Sequence, residues 1–141
     1  MRRVAFVCAC ACVLGLAGST AGQTRVAFLA AGDYGVGGSA ELRLGRAMQR
    51  YEARNPADMV VLLGDNDYTQ SPARFRTNWR ATFSWARRSG LRVAGVLGNH
   101  DYHVNRGRYE LGLLGMPRPY YTRTLGDIQL FLLDSNEVNG Q

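Results

Sequence analysis

Three short polar motifs in this sequence each begin with glycine and carry side chains that bind metals or phosphate. They are Gly32-Asp33-Tyr34-Gly35, Gly64-Asp65-Asn66-Asp67-Tyr68 and Gly98-Asn99-His100-Asp101, here called the first, second and third motifs. Glycine before the polar residue lets the backbone turn sharply and approach a ligand closely. Oxygen ligands gathered in this way suit hard cations, and a carboxylate shared by two cations permits in-line displacement at phosphorus.

The spacing of the motifs predicts that they meet in space. Asp33, Asp65 and Asn99 are separated by roughly 30 residues each, the length of one strand-helix-strand unit. Such units place the ends of parallel strands at one edge of a sheet, where open α/β folds build their sites. Tyr68 follows Asp65 by three positions and can reach the same cluster. A phenol has a pKa near 10, so its binding as phenolate at neutral pH indicates a strongly Lewis-acidic cation such as Fe(III).

Three apolar runs that precede the motifs are the predicted strands, at Arg25–Ala31, Met59–Leu63 and Leu91–Leu97. They do not alternate cleanly between apolar and polar residues, which is typical of strands covered on both faces. Two helices are predicted between them, at Ser39–Arg54 and Ser71–Ser89. The order β-α-β-α-β implies a parallel sheet with right-handed crossovers.

Helical periodicity predicts which side chains of the two helices face inward. The predicted inward residues are Leu44, Ala47, Met48 and Tyr51 in the first helix, and Phe75, Trp79, Phe83 and Ala86 in the second. Ser71 suits an N-cap, Pro72 the first helical position and Gly90 the stop. A loop is predicted at Asn99–Gly115, and a β-hairpin follows with strands at Tyr120–Leu125 and Ile128–Leu133 around Gly126-Asp127.

In this order and spacing, the three motifs resemble the purple acid phosphatases of the calcineurin-like metallophosphoesterase family. The likeness covers roughly Arg25–Asn136, including the LLDSN run after the hairpin. Most metallophosphoesterases open with Asp-x-His, whereas this chain has Gly35 at the histidine position and Tyr68 in the second motif. The resemblance implies the N-terminal half of a four-layer α/β/β/α sandwich, the fold class being α/β.

The resemblance also implies a role for each motif residue in hydrolysing phosphate monoesters. Asp33 and Tyr68 would bind Fe(III), Asp65 would bridge, and Asn99 would bind a divalent Zn, Mn or Fe ion. His100 would contact the phosphate and protonate the leaving alkoxide. The nucleophile would be a metal-bound hydroxide, since a bound cation lowers the pKa of water from 15.7 to about 7.

The chain departs from the family in its histidines. The remaining ligands of the family are histidines in later VxxH and GHxH motifs, but the chain has only His100 and His103. We therefore expect a partial domain that lacks its C-terminal half, holds its metals poorly and hydrolyses little. A phosphodiesterase or nucleotide hydrolase of the same fold, and a non-catalytic metal- or phosphate-binding α/β fragment, remain alternatives.

The N-terminus is predicted to be a secretory signal peptide, residues 1–21, with the phosphoesterase domain at 22–141. Met1-Arg2-Arg3 is followed by the apolar run Val4–Ala17 and by small residues up to Ala21, and the run is shorter than a membrane span. The expected location is secreted or periplasmic. The three cysteines all precede the cleavage point, which excludes a disulfide framework and a thiolate metal site in the mature chain.

Charge and composition predict the partners. Arginine supplies all 17 basic residues against 11 acidic ones, for a formal net charge of +6. A positive balance favours an anionic substrate, although Arg-rich codon usage explains it equally well. The expected partner is a small phosphate ester, with no nucleic acid, because Trp79 falls on the buried stripe, and no membrane after cleavage. The oligomeric state does not follow from the sequence.

Four polar groups near the motifs receive no catalytic role from the sequence. His103 is expected to be a solvated loop histidine and Asp67 an exposed carboxylate. Asp101 is expected to structure its loop. Asp134-Ser135-Asn136 ends a predicted strand and is expected at most to neighbour the site.

Overall fold

The computed structural model of the protein describes residues 25–136 of the 141-residue chain. The predicted signal peptide therefore lies outside the described residues and stays a prediction. Within 25–136, none of the helices combines the length and the apolar character needed to cross a bilayer.

The central element is a three-stranded parallel sheet with the order β1-β2-β3. Its strands are β1 (Phe28–Ala31), β2 (Met59–Leu62) and β3 (Arg92–Gly95), joined through α1 (Gly38–Glu52) and α2 (Pro72–Arg88). The last residues of the three strands, Ala31, Leu62 and Gly95, are register partners. The motifs therefore leave the sheet at one edge, and the predicted β-α-β-α-β order is confirmed.

The prediction that every strand is covered on both faces holds for β2 and is wrong for β1. All four residues of β2 are buried, because it lies between the other two strands. In β1, an edge strand, exposed and half-buried residues alternate, and Phe28 is 49% exposed.

The inward face of α1 differs from the predicted one. Met48 is buried, but Ala47 and Tyr51 are exposed, so the predicted stripe is partly wrong. The cause is the close packing of α1 against α2 at Gly45, where a Cβ would lie only 2.3 Å from the carbonyl oxygen of Thr82. This contact turns the helix so that the side facing the interior runs through Glu41, Gly45 and Met48.

The predictions for α2 are confirmed. Ser71 caps the helix by accepting a hydrogen bond from the Arg74 amide at 3.4 Å, and Pro72 occupies the first turn. Gly90 follows the C-cap with a positive φ of 78°, which glycine adopts without strain. The predicted inward residues are all buried: Phe75, Trp79, Phe83 and Ala86.

The connector after the third motif is more structured than the predicted loop. It contains two short 3-10 helices, Asp101–His103 and Asn105–Gly107, and a helical turn α3 (Leu111–Leu114). Elements of three or four residues are too short to show a hydrophobic period. Leu114 packs against β3, where a Cβ on Gly95 would lie 2.9 Å from the Leu114 Cβ.

The predicted hairpin is confirmed as the antiparallel pair β4 (Tyr121–Leu125) and β5 (Ile128–Leu132). The hydroxyl of Tyr121 donates to the Gly95 carbonyl at 2.9 Å and accepts from the Gly95 amide at 3.0 Å. One side chain thus satisfies both backbone groups of Gly95 and fixes the hairpin beside β3.

Candidate active site

The first two motifs meet through one tyrosine hydroxyl. Tyr68 donates towards Asp33 Oδ1 at 3.1 Å and towards Asp65 Oδ2 at 2.9 Å. Two carboxylates and one phenol therefore converge at the edge of the sheet where β1, β2 and β3 end. This edge is here called the rim. The structure brings these three residues together as their spacing predicted.

Both aspartates have backbone conformations that are uncommon for residues with a side chain. Asp33 has a φ of 54° and Asp65 a φ of 51°, in the left-handed region. Backbone hydrogen bonds hold the two loops together: the Asp33 amide donates to the Gly64 carbonyl at 3.1 Å, and the Gly35 amide to the Asp65 carbonyl at 3.2 Å. Such conformations persist where surrounding structure imposes them, and they cluster at functional sites.

The structure explains why glycine occupies position 35. A Cβ there would lie 2.2 Å from the carbonyl carbon of Asn66, well inside any real contact distance. The Tyr68 amide also donates to the Gly35 carbonyl at 3.0 Å. The first loop must therefore pass directly over the second, and that close approach places Tyr68 beside Asp33.

The third motif reaches the rim through its backbone. The His100 amide donates to Asp65 Oδ1 at 3.1 Å, and a Cβ on Gly98 would lie 2.1 Å from the same oxygen. Asn99 stands between two residues that contact Asp65. Its side chain is exposed and makes no hydrogen bond with any residue of the range 25–136.

The His100 ring packs on the Tyr68 ring, with centroids 4.4 Å apart and planes tilted by 40°. His103 is exposed, as expected, yet its ring lies 5.4 Å from that of His100. Two imidazoles therefore lie close together, and one of them packs on the tyrosine that bonds both carboxylates.

Comparison with protein-family models adds independent evidence. The model of the calcineurin-like phosphoesterases matches residues 28–139, which is most of the chain. The chain belongs to the calcineurin-like phosphoesterase family. Members of this family hydrolyse phosphoesters and generally use a binuclear metal centre. A search among curated proteins found no match.

The oxygens of Asp33, Asp65 and Tyr68 converge, and oxygen donors of this kind suit hard cations. Partial burial, followed by the hydrogen bonds to Asp65 and Asp33, raises the pKa of Tyr68 above its usual range, so the phenol keeps its proton in the arrangement described. Residues 25–136 hold no group of three or more His, Cys, Asp or Glu side chains able to bind a metal. The donor set thus depends on the tyrosine.

Beneath the rim, Asp101 joins the second motif to the third. Its Oδ1 accepts from the amides of Asn66 and Asp67 at 2.7 and 2.9 Å. Its Oδ2 accepts from the Gly98 amide and from the Asn66 side chain, both at 2.8 Å. Burial raises the pKa of Asp101, and these hydrogen bonds act in the opposite direction. The structuring role expected of Asp101 is borne out.

Asp67 is buried, so the expectation of an exposed carboxylate is wrong. It is 1% exposed and accepts hydrogen bonds from the Thr69 amide and the Tyr109 hydroxyl, both at 2.7 Å. Burial and the bond to Asp67 raise the pKa of Tyr109 well above its usual range. The sequence carried no signal for this contact, because Tyr109 lies in the connector that was predicted as a loop.

A second buried carboxyl, Glu110, was not singled out by the sequence. It is fully buried, and neither side-chain oxygen has a hydrogen-bond partner among the described residues. Burial, and next the negative charge of Asp101, raises its pKa to about 9, although the nearby polar side chains of Tyr109 and Asn66 act in the opposite direction. The group is therefore a neutral acid at pH 7. Its one sequence signal is an acidic residue directly before the apolar stretch Leu111–Leu114.

The candidate site is an open rim. A cavity of about 740 Å³ lies at the opposite edge of the sheet, lined mainly by residues 25–29 and 54–58. It contains no motif residue and none of the convergent carboxylates. We therefore place the candidate chemistry at the rim, where several polar groups meet.

Proposed function

We propose that the protein is a purple acid phosphatase-type enzyme that hydrolyses phosphate monoesters with Fe(III) and a divalent Zn, Mn or Fe ion. The observation that carries this proposal is the Tyr68 hydroxyl, which lies within hydrogen-bonding distance of both Asp33 and Asp65. A phenol in this donor set favours a trivalent cation over the divalent ions that carboxylates alone would accept.

Each rim residue has a role in this proposal. Asp33 and Tyr68 would hold the trivalent ion, Asp65 would serve both ions, and Asn99 would hold the divalent one. Asp65 suits a shared role because Tyr68 contacts its Oδ2 while the His100 amide contacts its Oδ1. When bound, the two cations supply Lewis acidity and activate a water for attack at phosphorus.

His100 is the proposed catalytic residue. Its backbone is tied to Asp65 and its ring lies on Tyr68, so the imidazole has a defined position at the rim. From there it contacts the phosphate and gives a proton to the leaving alkoxide oxygen. An imidazole suits this transfer because its ordinary pKa lies near neutral pH.

We also propose that the protein is exported, with residues 1–21 removed as a signal peptide. The order of charged, apolar and small residues supports cleavage, and all three cysteines precede the cleavage point. Mass spectrometry of the protein recovered from the periplasm and the medium tests this. A chain that keeps residues 1–21 and stays in the cytoplasm would contradict it.

The phosphatase proposal is tested with the full chain supplied with Fe(III) and Zn²⁺. We expect slow hydrolysis of para-nitrophenyl phosphate, and slower hydrolysis of the corresponding diester, because the chain has only two histidines to add to the oxygen donors. Asp65→Asn should reduce turnover to background. Asp58→Asn, at the opposite edge of the sheet, is the matched control and should leave it unchanged.

Each other outcome selects an alternative. Faster cleavage of the diester would favour a phosphodiesterase or nucleotide hydrolase of the same fold. Metal binding without turnover of either ester would favour a non-catalytic metal- or phosphate-binding module. Equal turnover by the parent and Asp65→Asn would contradict the assigned site.

A further inference from the structure

The segment that leaves β5 lies against the third motif. The Asn136 side-chain amide donates to the Leu97 carbonyl at 3.2 Å and approaches the Gly98 carbonyl at 3.5 Å. Gly98 is the residue before Asn99. The end of the hairpin thus contacts the backbone that presents the proposed divalent-ion ligand.

A second contact from the same segment reaches the other side of the motif. The Tyr102 hydroxyl donates to Asp134 Oδ2. Tyr102 belongs to the 3-10 helix Asp101–His103, directly after His100. The hairpin exit therefore holds the chain on both sides of His100, at Leu97 and Gly98 before it and at Tyr102 after it.

One local turn orients both anchoring side chains. Asp134 Oδ1 accepts from the Asn136 backbone amide and from the Asn136 side chain, each at 3.0 Å. Aspartate commonly organises a turn by bonding the backbone two residues on. Because Asp134 also receives Tyr102, its two oxygens couple the turn to the loop of His100. Both residues are partly buried, which protects these hydrogen bonds from water.

The opposite side of His100 is held by the second motif. Its amide bonds to Asp65, and its ring packs on Tyr68. The imidazole thus lies between the second motif on one side and a loop anchored by the hairpin exit on the other. Loss of the hairpin anchors would remove the hydrogen bond between Tyr102 and Asp134, and the ring of His100 would be free to leave Tyr68.

We propose that Asp134 and Asn136 are positioning residues that hold the His100 ring against Tyr68, acting through Tyr102 and Gly98. Neither residue touches the substrate. The catalytic purpose of this positioning rests on the proposed function, in which His100 contacts the phosphate. The positioning itself concerns side chains of the metal-free protein and is measured without turnover.

The test uses nuclear magnetic resonance of the full chain, with selectively labelled histidine and tyrosine. In the parent we expect cross-relaxation between the ring protons of His100 and Tyr68, and a ring-current shift of the His100 protons. Both should be lost in Tyr102→Phe and in Asn136→Ala. Tyr120→Phe and Asn55→Ala are the matched controls, since Tyr120 is exposed and Asn55 bonds a backbone carbonyl in a different part of the fold.

The variant pairs separate positioning from general stability. Tyr102→Phe keeps the ring and removes only the hydroxyl, so it preserves packing even if Asn136→Ala unfolds. Loss of the His100–Tyr68 signals in a folded Tyr102→Phe protein, with both signals kept in the controls, supports the proposal. Unchanged signals in a folded Tyr102→Phe protein would overturn it, as would their absence from the parent. Failure of the phosphatase assay would affect neither result.

Discussion

Asp101 and Glu110 are both fully buried carboxyl groups beneath the rim, yet their surroundings are opposite. Asp101 accepts four hydrogen bonds from two loops, three of them from backbone amides. Glu110 accepts none among the described residues and faces the negative charge of Asp101. The two groups belong to the same connector between β3 and β4 and are equally buried, so the difference reflects local donors and not depth of burial.

The comparison shows two ways in which the fold accommodates a buried acid. Asp101 is supplied with donors, and in return it fixes the separation of the second and third motifs. Glu110 keeps a proton and avoids the larger cost of an unpaired buried charge. The first arrangement organises the candidate site directly. The second makes stability depend on pH.

The largest expected effect on stability comes from removing one of the two acceptor oxygens of Asp101. Asp101→Asn replaces one acceptor oxygen by an amide nitrogen, which leaves two buried donors facing another donor. We expect the free energy of unfolding to fall by about 2–6 kcal/mol, at about 1–3 kcal/mol for each unsatisfied donor. Urea denaturation monitored by circular dichroism measures this change.

The control for Asp101→Asn is Glu52→Gln, a charge-neutralising change in the last turn of α1, where the carboxylate makes no hydrogen bond within the described residues. It should change the free energy of unfolding by no more than about 0.5 kcal/mol. Equal destabilisation by the two variants would show that Asp101 does not join the motifs.

The next effect concerns Glu110 and the pH dependence of stability. The unfolded carboxyl titrates near 4.5 and the folded one at about 9, so the folded state binds more protons between these values. The contribution of Glu110 to the free energy of unfolding should therefore be fully present below pH 4.5 and be lost as pH rises towards 9, by up to about 1.4 kcal/mol per pH unit. Glu110→Gln cannot ionise, and its stability should depend less on pH.

Denaturation curves of both proteins between pH 4.5 and 9 measure the difference. Some slope should persist in Glu110→Gln, because burial raises the pKa of Glu41 and of Asp101 as well. Identical slopes for the parent and the variant would mean that Glu110 is ionised in the folded protein, and the contrast with Asp101 would disappear.

The smallest effect tests the hydrogen bond between Tyr109 and the buried Asp67, beside Glu110. Tyr109→Phe removes that bond, 2.7 Å long, and keeps the ring, which packs edge-on against Phe75. We expect a loss of about 1.5–3 kcal/mol at most, the range for a hydrogen bond to a charged group, and closer to 1 kcal/mol if water reaches Asp67. Tyr51→Phe, at an exposed tyrosine, should leave stability unchanged in the same thermal unfolding experiment.

The sequence predicted the rim well because the rim depends on local and periodic features. Glycine followed by a polar residue marked each strand end, and parallel strands in register brought Asp33 and Asp65 together. The position of Tyr68 followed from its distance along the chain from Asp65. These relations concern a few neighbouring residues or a regular crossover length, which a single sequence records directly.

The layer beneath the rim was not predictable, because it depends on contacts between distant residues. Asp67 is buried through Tyr109, which the sequence placed in a loop. The inward face of α1 is set by the close approach of Gly45 to Thr82, an interhelical contact that periodicity cannot reveal. Glu110 became notable only when the structure showed that neither of its carboxyl oxygens is hydrogen-bonded to a residue of the range 25–136.

The most direct test of the proposed site is the visible absorption spectrum of the full chain titrated with Fe(III). If Tyr68 binds the cation together with Asp33 and Asp65, a tyrosinate-to-iron charge-transfer band should appear and give a purple colour. The band should be missing in Tyr68→Phe and retained in Tyr120→Phe. An iron-loaded parent without the band, or a Tyr68→Phe protein that keeps it, would contradict the assignment of Tyr68 and the phosphatase type based on it.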